Sequence, residues 1–381
     1  MKILQAFDFL SLPHGGGTVD IVYRLSKALS ARGHDITICT GDRELDTGYL
    51  YGLTDAGVGL NVYHSYFNKH GIYLMLGLLG LDIRGYDVIH LHCYRSLQNV
   101  ILAQKATIYG IPYIIDAHGS TVPRTGSKKL LLDVFDLVFG RSLIERAKFV
   151  IAETEIGVAE WEKLGASRDK IRLQHPLLDT SEFAVLPERG AFRQVYGLGD
   201  TPIVLFLGRI HQAKGIETLI DVVDILRSKG TKIVLVIAGS DDGYKDTLLE
   251  IVKARLVSWQ VLFTGFISGQ DKLSALVDAD VLVQPSRNEA GARPSLEAIM
   301  CKTPVIVSRD TGAGREIAKF DGGLLFKSGD AKELAMAIQE IIGEPDKAKA
   351  RTAKAREYIE ANLSLDKQIG EYEKLYQEAT R

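Results

Sequence analysis

The sequence has few cysteines, no long apolar run and almost no net charge, and each absence excludes a class of protein. Cys39, Cys93 and Cys301 lie far apart, each beside an apolar run. This predicts buried thiols in a reducing compartment and argues against a disulfide framework or a zinc site. The longest apolar stretch, residues 72–81, is shorter than the roughly 20 residues that span a membrane. A net charge of −2 gives no general reason to expect nucleic-acid binding.

The length and composition favour a soluble globular protein of two domains. The chain has 381 residues, of which 46% are hydrophobic and 25% charged. A strand-like run begins directly at Met1. We therefore expect no secretory signal and a cytoplasmic location.

Short apolar runs rich in β-branched residues alternate with longer amphipathic segments in the first half of the chain. The runs show no internal polar alternation, which favours parallel strands buried on both faces. Residues 19–31 are predicted to form a helix that stops at Gly33. The predicted strands are residues 2–7, 35–40, 60–63, 88–91, 113–116 and 149–152.

The alternation pauses at residues 176–202, which carry several prolines and glycines, and then resumes. The strands predicted after the pause are residues 203–207, 232–238, 261–264, 281–283 and 305–307. The helices predicted between them are residues 216–228, 245–256, 272–277 and 295–300. Repeated βα units predict α/β architecture, with two Rossmann-like, doubly wound parallel sheets facing across a cleft. The predicted division is residues 1–177, a linker at 178–201 and a second domain at 202–362, with a helix at 363–381 returning to the first domain.

The segment Gly208-Arg209…Lys214-Gly215 lies between a predicted strand and a predicted helix. Ligands of open α/β folds bind at this edge of the sheet. Arg209 offers a planar fork of donors and Lys214 a point charge, and a diphosphate accepts both. The alternative interpretation is a solvated surface pair.

Two glutamates, Glu289 and Glu297, follow the strand predicted at 281–283, with seven residues between them. Pro294 suits the first turn of a helix, which places Glu297 one turn inside it and Glu289 on the preceding loop. The amides of Ala290, Gly291 and Ala292 and the helix N-terminus are expected to point into the same space. A carboxylate accepts from two hydroxyls at once, so the pair suits a sugar and a ribose. The alternative is a capping glutamate and a surface glutamate.

Taken together, these segments resemble the retaining glycosyltransferases of family 4, which have the two-domain GT-B fold, over nearly the whole chain. Each motif is short, but their order is specific. The set comprises Gly15-Gly16-Gly17, Gly33-His34-Asp35, Gly208-Arg209…Lys214-Gly215, the pair Glu289 and Glu297, and Cys301-Lys302-Thr303-Pro304.

The resemblance implies transfer of a sugar from a UDP- or GDP-sugar to an acceptor hydroxyl, with retention and without a metal or other cofactor. It implies that Arg209 and Lys214 bind the diphosphate, and that the leaving phosphate oxygen acts as base on one face of the sugar. Glu297 would bind the ribose and Glu289 the transferred sugar, and His118 would contact that sugar near the reaction centre. The implied catalytic residues are His118, Glu289, Arg209 and Lys214. The implied donor-binding residues are Gly16, Gly17, Arg209, Lys214, Gly265, Phe266, Glu289, Ala290, Gly291, Ala292, Arg293 and Glu297.

The sequence departs from the family pattern between the two glutamates. Family members usually have Gly-Phe-Gly-Leu where this chain has Ala290-Gly291-Ala292-Arg293. One hypothesis is that Arg293 pairs with a phosphate or an acidic sugar. The other is a solvent-facing arginine at the start of a helix.

Three other segments match known binding motifs only in part. Gly15-Gly16-Gly17 resembles a dinucleotide-binding fingerprint but lacks its third glycine, which argues against NAD binding. His90 and His92 alternate on one strand, so both can face one side as a metal pair or pack at the strand end. Asp278 and Asp280 resemble a metal-binding D-x-D, but their place favours Asp280 as a residue that starts a strand. We expect no metal site.

Residues 124–148 combine basic side chains with apolar ones, as expected for peripheral contact with an anionic membrane. A core-packed helix with a solvated basic face is the alternative. The predicted acceptor is a glycan, a lipid-linked group or a small molecule. Two rival functions stay open: a 2-epimerase acting on a UDP-N-acetylhexosamine, and an inactive subunit that binds a nucleotide sugar.

Overall fold

The computed structural model describes residues 1–11, 17–43, 45–66, 68–69, 72–121, 128–175, 177–287, 289 and 291–381. The chain divides into two compact units. One comprises Met1–Leu177 together with Leu365–Arg381, and the other comprises Leu178–Ser364.

In the described part of the first unit, seven parallel strands form a sheet in the order β3-β2-β1-β6-β7-β8-β9. Strands β4 and β5 form a separate antiparallel pair. The strands are β1 (Lys2–Ala6), β2 (Asp35–Gly41), β3 (Gly59–Tyr63), β4 (Asn68–Lys69), β5 (Ile72–Tyr73), β6 (Val88–His92), β7 (Tyr113–Asp116), β8 (Phe149–Ala152) and β9 (Ile171–Leu173).

Helices follow most of these strands. They are α1 (Gly17–Ala31), α2 (Thr47–Asp55), α3 (Leu97–Tyr109), α4 (Lys128–Phe135), α5 (Arg141–Arg146) and α6 (Glu155–Lys163). A π-helical segment, Asp136–Gly140, joins α4 to α5.

Core residues cover both faces of the first sheet, because successive side chains of a strand point to opposite sides. Leu4 and Ile89 belong to one apolar cluster, whereas their neighbours Ile3 and Val88 belong to another. This arrangement explains why the strands appear in the sequence as unbroken apolar runs.

In the described part of the second unit, six parallel strands form a sheet in the order β12-β11-β10-β13-β14-β15. The strands are β10 (Ile203–Leu207), β11 (Val234–Ala238), β12 (Val261–Gly265), β13 (Val281–Gln284), β14 (Val305–Ser308) and β15 (Leu324–Phe326). The helices are α7 (Ala191–Tyr196), α8 (Ile216–Ser228), α9 (Lys245–Ala254), α10 (Gly269–Asp278), α11 (Arg293–Met300), α12 (Gly312–Ala318), α13 (Ala331–Gly343) and α14 (Pro345–Asn362).

Residues 178–201, expected as a linker, carry a 3-10 turn and helix α7 within the second unit. Phe183 and Phe192 are buried in its core. The carboxylate of Asp278 accepts from the Arg193 amide at 2.9 Å, and Asp280 accepts from the Ile203 amide at 2.8 Å. The D-x-D pair therefore binds this segment to the start of β10.

The last helix, α15 (Leu365–Ala379), belongs to the first unit. Ile369, Tyr372 and Tyr376 are buried among the residues of one face of the first sheet. The end of the chain thus supplies part of the first unit's core.

The prediction of two doubly wound parallel sheets is confirmed. The sequence predicted neither β9 nor β15, because each is only three residues long. Cys39 and Cys301 are buried as expected, whereas Cys93 is only half-buried. None of the helices in the described ranges combines the length and apolar character needed to cross a membrane.

Candidate functional site

The second sheet has a switch point at β10, whose neighbours are β11 on one side and β13 on the other. Crevices at such points hold the ligands of open α/β sheets. The loop after β10 carries Arg209 and Lys214, and the loop after β13 carries Glu289. Sequence reasoning placed these residues at strand ends, and the structure places both loops at one crevice.

The two loops contact each other closely at Gly215. Its φ is +64°, and a Cβ at this position would lie 2.4 Å from the carbonyl oxygen of Pro285. The Arg287 amide also donates to the Ala213 carbonyl at 2.9 Å. A side chain at Gly215 would push the loops apart, which explains the need for glycine beside Lys214.

Lys214 and Glu289 form an ion pair between these loops. The Ser286 hydroxyl donates to the same Glu289 oxygen at 3.0 Å. Both charged side chains are about four-fifths buried, so solvent screens the pair only partly. The residue predicted to bind phosphate thus contacts the residue predicted to bind sugar.

Arg209 pairs instead with Asp242, which follows β11. Both side chains are about half exposed, so this pair is screened by solvent and contributes little to stability. Arg209 can therefore leave Asp242 and contact a ligand with little loss of free energy.

Glu297 lies on α11 and is almost fully buried. Its Oε1 atom is 3.2 Å from Lys272 Nζ and 3.3 Å from Arg293 Nε. The Arg293 side chain is only 16% exposed, so the expectation of a solvent-facing arginine is wrong. Sequence reasoning missed Lys272, whose position on α10, well before Glu297 in the chain, gave no signal.

Side-chain hydrogen bonds fix the loop that leads into α11. Gln284 Nε2 donates to the Gly291 carbonyl at 3.1 Å, and the Ser295 hydroxyl donates to Gln284 Oε1 at 2.7 Å. The Ala292 amide donates to Glu316 Oε2 at 3.3 Å. The Ala292 amide, which we expected to face the ligand, is therefore already used within the unit. Ala290 lies outside the described residues.

Gly265 and Phe266 stand at the end of β12, next to β11. The Gly265 carbonyl accepts from the Gly239 amide at 2.8 Å, and Phe266 is 46% exposed. A ring with that exposure is available for a planar ligand. In the first unit, Gly17 begins α1, whereas Gly16 lies outside the described residues.

His118 follows β7 in the first unit and has a φ of +45°. Its side chain is only 2% exposed. His118 Nε2 lies 2.9 Å from His92 Nδ1, and His118 Nδ1 lies 3.1 Å from Glu153 Oε1. Both ring nitrogens of His118, the residue predicted to contact the sugar, therefore face protein groups. Glu153 was not predicted from the sequence as one of these partners.

Among the residues that the structure describes, two groups of side chains bring possible metal-ligand atoms within 4.8 Å of one another: His90, His92 and Asp116, and Asp116, His118 and Glu153. Some of these side chains are hydrogen-bonded to tyrosines of α15. His90 Nδ1 lies 2.9 Å from the Tyr376 hydroxyl, and the Tyr372 hydroxyl donates to Asp116 Oδ2 at 3.0 Å. His90 and His92 do face one side of the strand, with ring centroids 4.0 Å apart.

Most of the chain matches known protein families. Residues 188–358 match the family described as glycosyl transferases group 1, and residues 15–182 match glycosyltransferase family 4. An uncharacterized glycosyltransferase of Methanocaldococcus jannaschii is 27% identical over 363 residues, which cover 90% of this chain and 87% of that protein. The D-inositol 3-phosphate glycosyltransferase of Jonesia denitrificans is 26% identical over 373 residues, covering 91% of this chain and 87% of that protein.

The fold is similar to that of HepE from Anabaena, whose crystal structure contains UDP and glucose. The TM-score is 0.82 at 18% sequence identity, and 99% of each chain is covered. This likeness confirms the expected GT-B fold.

Proposed function

This chain belongs to family 4 of the glycosyltransferases, and on that premise we propose that it transfers a sugar from a nucleoside diphosphate donor to an acceptor hydroxyl with retention. The observation that carries the proposal is the pairing of cations with carboxylates at one crevice of the second sheet. Lys214 contacts Glu289 there, and Arg293 contacts Glu297. A sugar nucleotide offers phosphates to the cations and hydroxyls to the carboxylates.

Departure of the diphosphate is the difficult step. Negative charge grows on its oxygens while the sugar ring becomes oxocarbenium-like. Arg209 and Lys214 stabilise that charge in place of a metal ion, together with the N-terminus of α11. The leaving oxygen then takes the proton of the attacking hydroxyl on the same face of the sugar.

When the sugar nucleotide binds, it replaces or joins the ion-pair partners that the cations of the crevice already have. The phosphates draw Arg209 from Asp242, while Lys214 stays near Glu289 and bridges it to the ligand. Glu289 accepts from a sugar hydroxyl. Lys272 and Arg293 hold the buried Glu297 carboxylate in place, so that it can accept from both ribose hydroxyls.

The first unit takes the acceptor in this scheme, and the second unit takes the donor. On the family resemblance, we assign His118 the role of contacting the transferred sugar. The HepE structures that contain UDP or UDP-glucose support a sugar nucleotide as donor. The relative named for D-inositol 3-phosphate supports a hydroxyl-rich acceptor.

A membrane-facing surface completes the proposal. Leu130, Val134 and Leu137 on the helical stretch from α4 to α5 are 73%, 48% and 83% exposed, and their spacing places them on one side. They form an apolar stripe that suits the interface of a bilayer. Two neighbouring cations are paired at i,i+4, Lys129 with Asp133 and Arg141 with Glu145. We therefore expect contact driven more by apolar burial than by charge.

Thermal unfolding with a panel of nucleoside diphosphates and their sugars, in EDTA, tests the proposal. A ligand that binds only the folded state raises the Tm. We expect one base to stabilise the protein through its diphosphate, and its sugar nucleotide to turn over with an acceptor. An altered sugar formed without acceptor would indicate an epimerase, and binding with no turnover would indicate an inactive subunit. Failure of every nucleotide to stabilise the protein would refute the donor site.

A further inference from the structure

A chain of hydrogen bonds runs through the first unit at His118. Gln5 Oε1 lies 2.9 Å from His92 Nε2, and His92 Nδ1 lies 2.9 Å from His118 Nε2. On the other side, His118 Nδ1 is 3.1 Å from Glu153 Oε1 and 3.5 Å from Asp116 Oδ1. Strands β1, β6 and β7 of one sheet, together with the turn after β8, thus contribute to this network: β1 contacts His92, and the others contact His118.

The hydrogen-bonding capacity of each group determines which ring nitrogens of His92 and His118 are protonated. An amide oxygen only accepts, so His92 Nε2 donates to Gln5. Burial, with the charges of His90 and His118, lowers the pKa of His92 well below its ordinary value, and the neutral ring carries one proton. His92 Nδ1 is then a lone pair, and its hydrogen bond requires a proton on His118 Nε2. The Glu153 carboxylate requires a second proton on His118 Nδ1.

The charged and titratable groups around His118 agree with this assignment. His90 and His92 face it from β6, Asp116 from β7 and Glu153 from the turn after β8. Burial alone lowers the pKa of His118, but Asp116 and Glu153 outweigh burial and place that pKa above its ordinary value. From α15, Tyr372 donates to Asp116 Oδ2 at 3.0 Å and holds that carboxylate beside the ring.

We infer that Gln5, His92 and Glu153 are positioning residues that hold His118 as a cation with both N–H groups directed into the protein. His118 then serves the reaction through fixed charge and orientation and does not transfer a proton to or from the substrates. A fixed cation favours the negative charge that builds up on a departing diphosphate. This inference rests on the proposed function, which places His118 beside the transferred sugar.

The nitrogen chemical shifts of the imidazoles test the proton assignment directly. The protein contains nine histidines, and ¹⁵N-histidine labelling resolves which ring nitrogens are protonated. Spectra of His118→Gln and His92→Gln assign the two signals. We expect two protonated nitrogens on His118 and one on His92 across neutral pH. A bare nitrogen on His118, which the opposite orientation of the Gln5 amide would produce, overturns the inference.

Glu153→Gln tests the consequence for turnover. The amide keeps the shape of the side chain but removes one of the two negative charges that raise the His118 pKa, the other being Asp116, so His118 loses its proton at a lower pH. We expect kcat to match wild type at mildly acidic pH and to fall about tenfold per pH unit above the new pKa, with donor KM unchanged. A matched control is Glu160→Gln, because Glu160 accepts from Thr121 at 2.6 Å and is not hydrogen-bonded to His118.

The outcomes separate this inference from the proposed function. Equal loss of activity at every pH in Glu153→Gln, or a profile that matches the control, overturns the positioning role. Nucleotide stabilisation reports on the second unit and should be the same in wild type and Glu153→Gln. If no nucleotide stabilises the wild type, the proposed function fails, while the ¹⁵N spectra still decide the protonation of His118.

Discussion

Replacing Lys214 with alanine should weaken donor binding and slow turnover at the same time. The change removes the cation that contacts Glu289 and leaves that carboxylate with the Ser286 hydroxyl at 3.0 Å. A bound diphosphate then loses one charged donor and lies beside an uncompensated negative charge. Both effects oppose binding of an anion.

The size of the effect follows from the charged hydrogen bond that is lost. Such a bond contributes about 1.5–3 kcal/mol, which corresponds to a Kd raised about 10- to 150-fold. Removing a hydrogen-bond donor that stabilises the negative charge developing in the transition state lowers kcat by about 10²–10³. For nucleotide at about 100 times the wild-type Kd, stabilisation should fall from about 2.7 to about 0.4 kcal/mol for a 100-fold weaker Kd. The rise in Tm then shrinks from about 5–11 °C to about 1 °C.

Titration calorimetry and thermal unfolding measure these quantities on the same samples. Lys253→Ala is a matched control, because Lys253 is exposed on α9 and lies away from the crevice. The control should bind nucleotide as the wild type does. A Lys214→Ala protein with wild-type Kd and an undiminished Tm shift would refute the assignment of the phosphate site.

Four further predictions follow from particular contacts. Glu297→Gln should raise the donor KM about 10-fold or more with little change in kcat, because one ribose hydroxyl loses a charged acceptor; an unchanged KM in steady-state kinetics would contradict this. Arg293→Ala should also raise the donor KM, because Glu297 loses the partner 3.3 Å away; an unaltered KM would reject a role for Arg293. Burial raises the pKa of Asp8 to about 7, so its ionisation costs stability as pH rises from the unfolded value of about 4 through 7. Asp8→Asn should therefore stabilise the protein by up to about 4 kcal/mol at alkaline pH in urea unfolding and change little in acid, and equal effects at both pH values would exclude this cause. Leu137→Ser should reduce co-sedimentation with anionic vesicles, whereas Val195→Ser, at an exposed position in the second unit, should not. Equal binding by the wild type and both variants would count against the apolar stripe.

Much of the fold was predictable because parallel strands buried on both faces leave continuous apolar runs in the sequence. β7, β8 and α8 have the predicted bounds. The short strands β9 and β15 were missed because three residues carry no periodicity. The predicted linker also differs from expectation, since Phe183 and Phe192 are buried in the second unit's core. Prolines and glycines marked a change in pattern there without showing where the side chains pack.

The candidate site was predictable where its residues follow strands, as Arg209, Lys214 and Glu289 do. The partners of Arg209 and Glu297 were not predictable, because Asp242 follows β11 and Lys272 lies on helix α10, and neither belongs to a motif. Likewise, His118 stood out by its place after β7, whereas Gln5 and Glu153 become neighbours only when the first sheet forms. Local sequence predicts which edge of a sheet a residue reaches, but not which side chain from another strand meets it.

The most direct test of the central claim is the product formed from the stabilising sugar nucleotide, an acceptor panel and EDTA. NMR identifies both the released nucleoside diphosphate and the configuration at the new anomeric carbon. We predict stoichiometric release of the diphosphate and a glycoside with the anomeric configuration of the donor, at the same rate with and without EDTA. A product of inverted configuration, or turnover that EDTA abolishes, would contradict metal-independent retaining transfer.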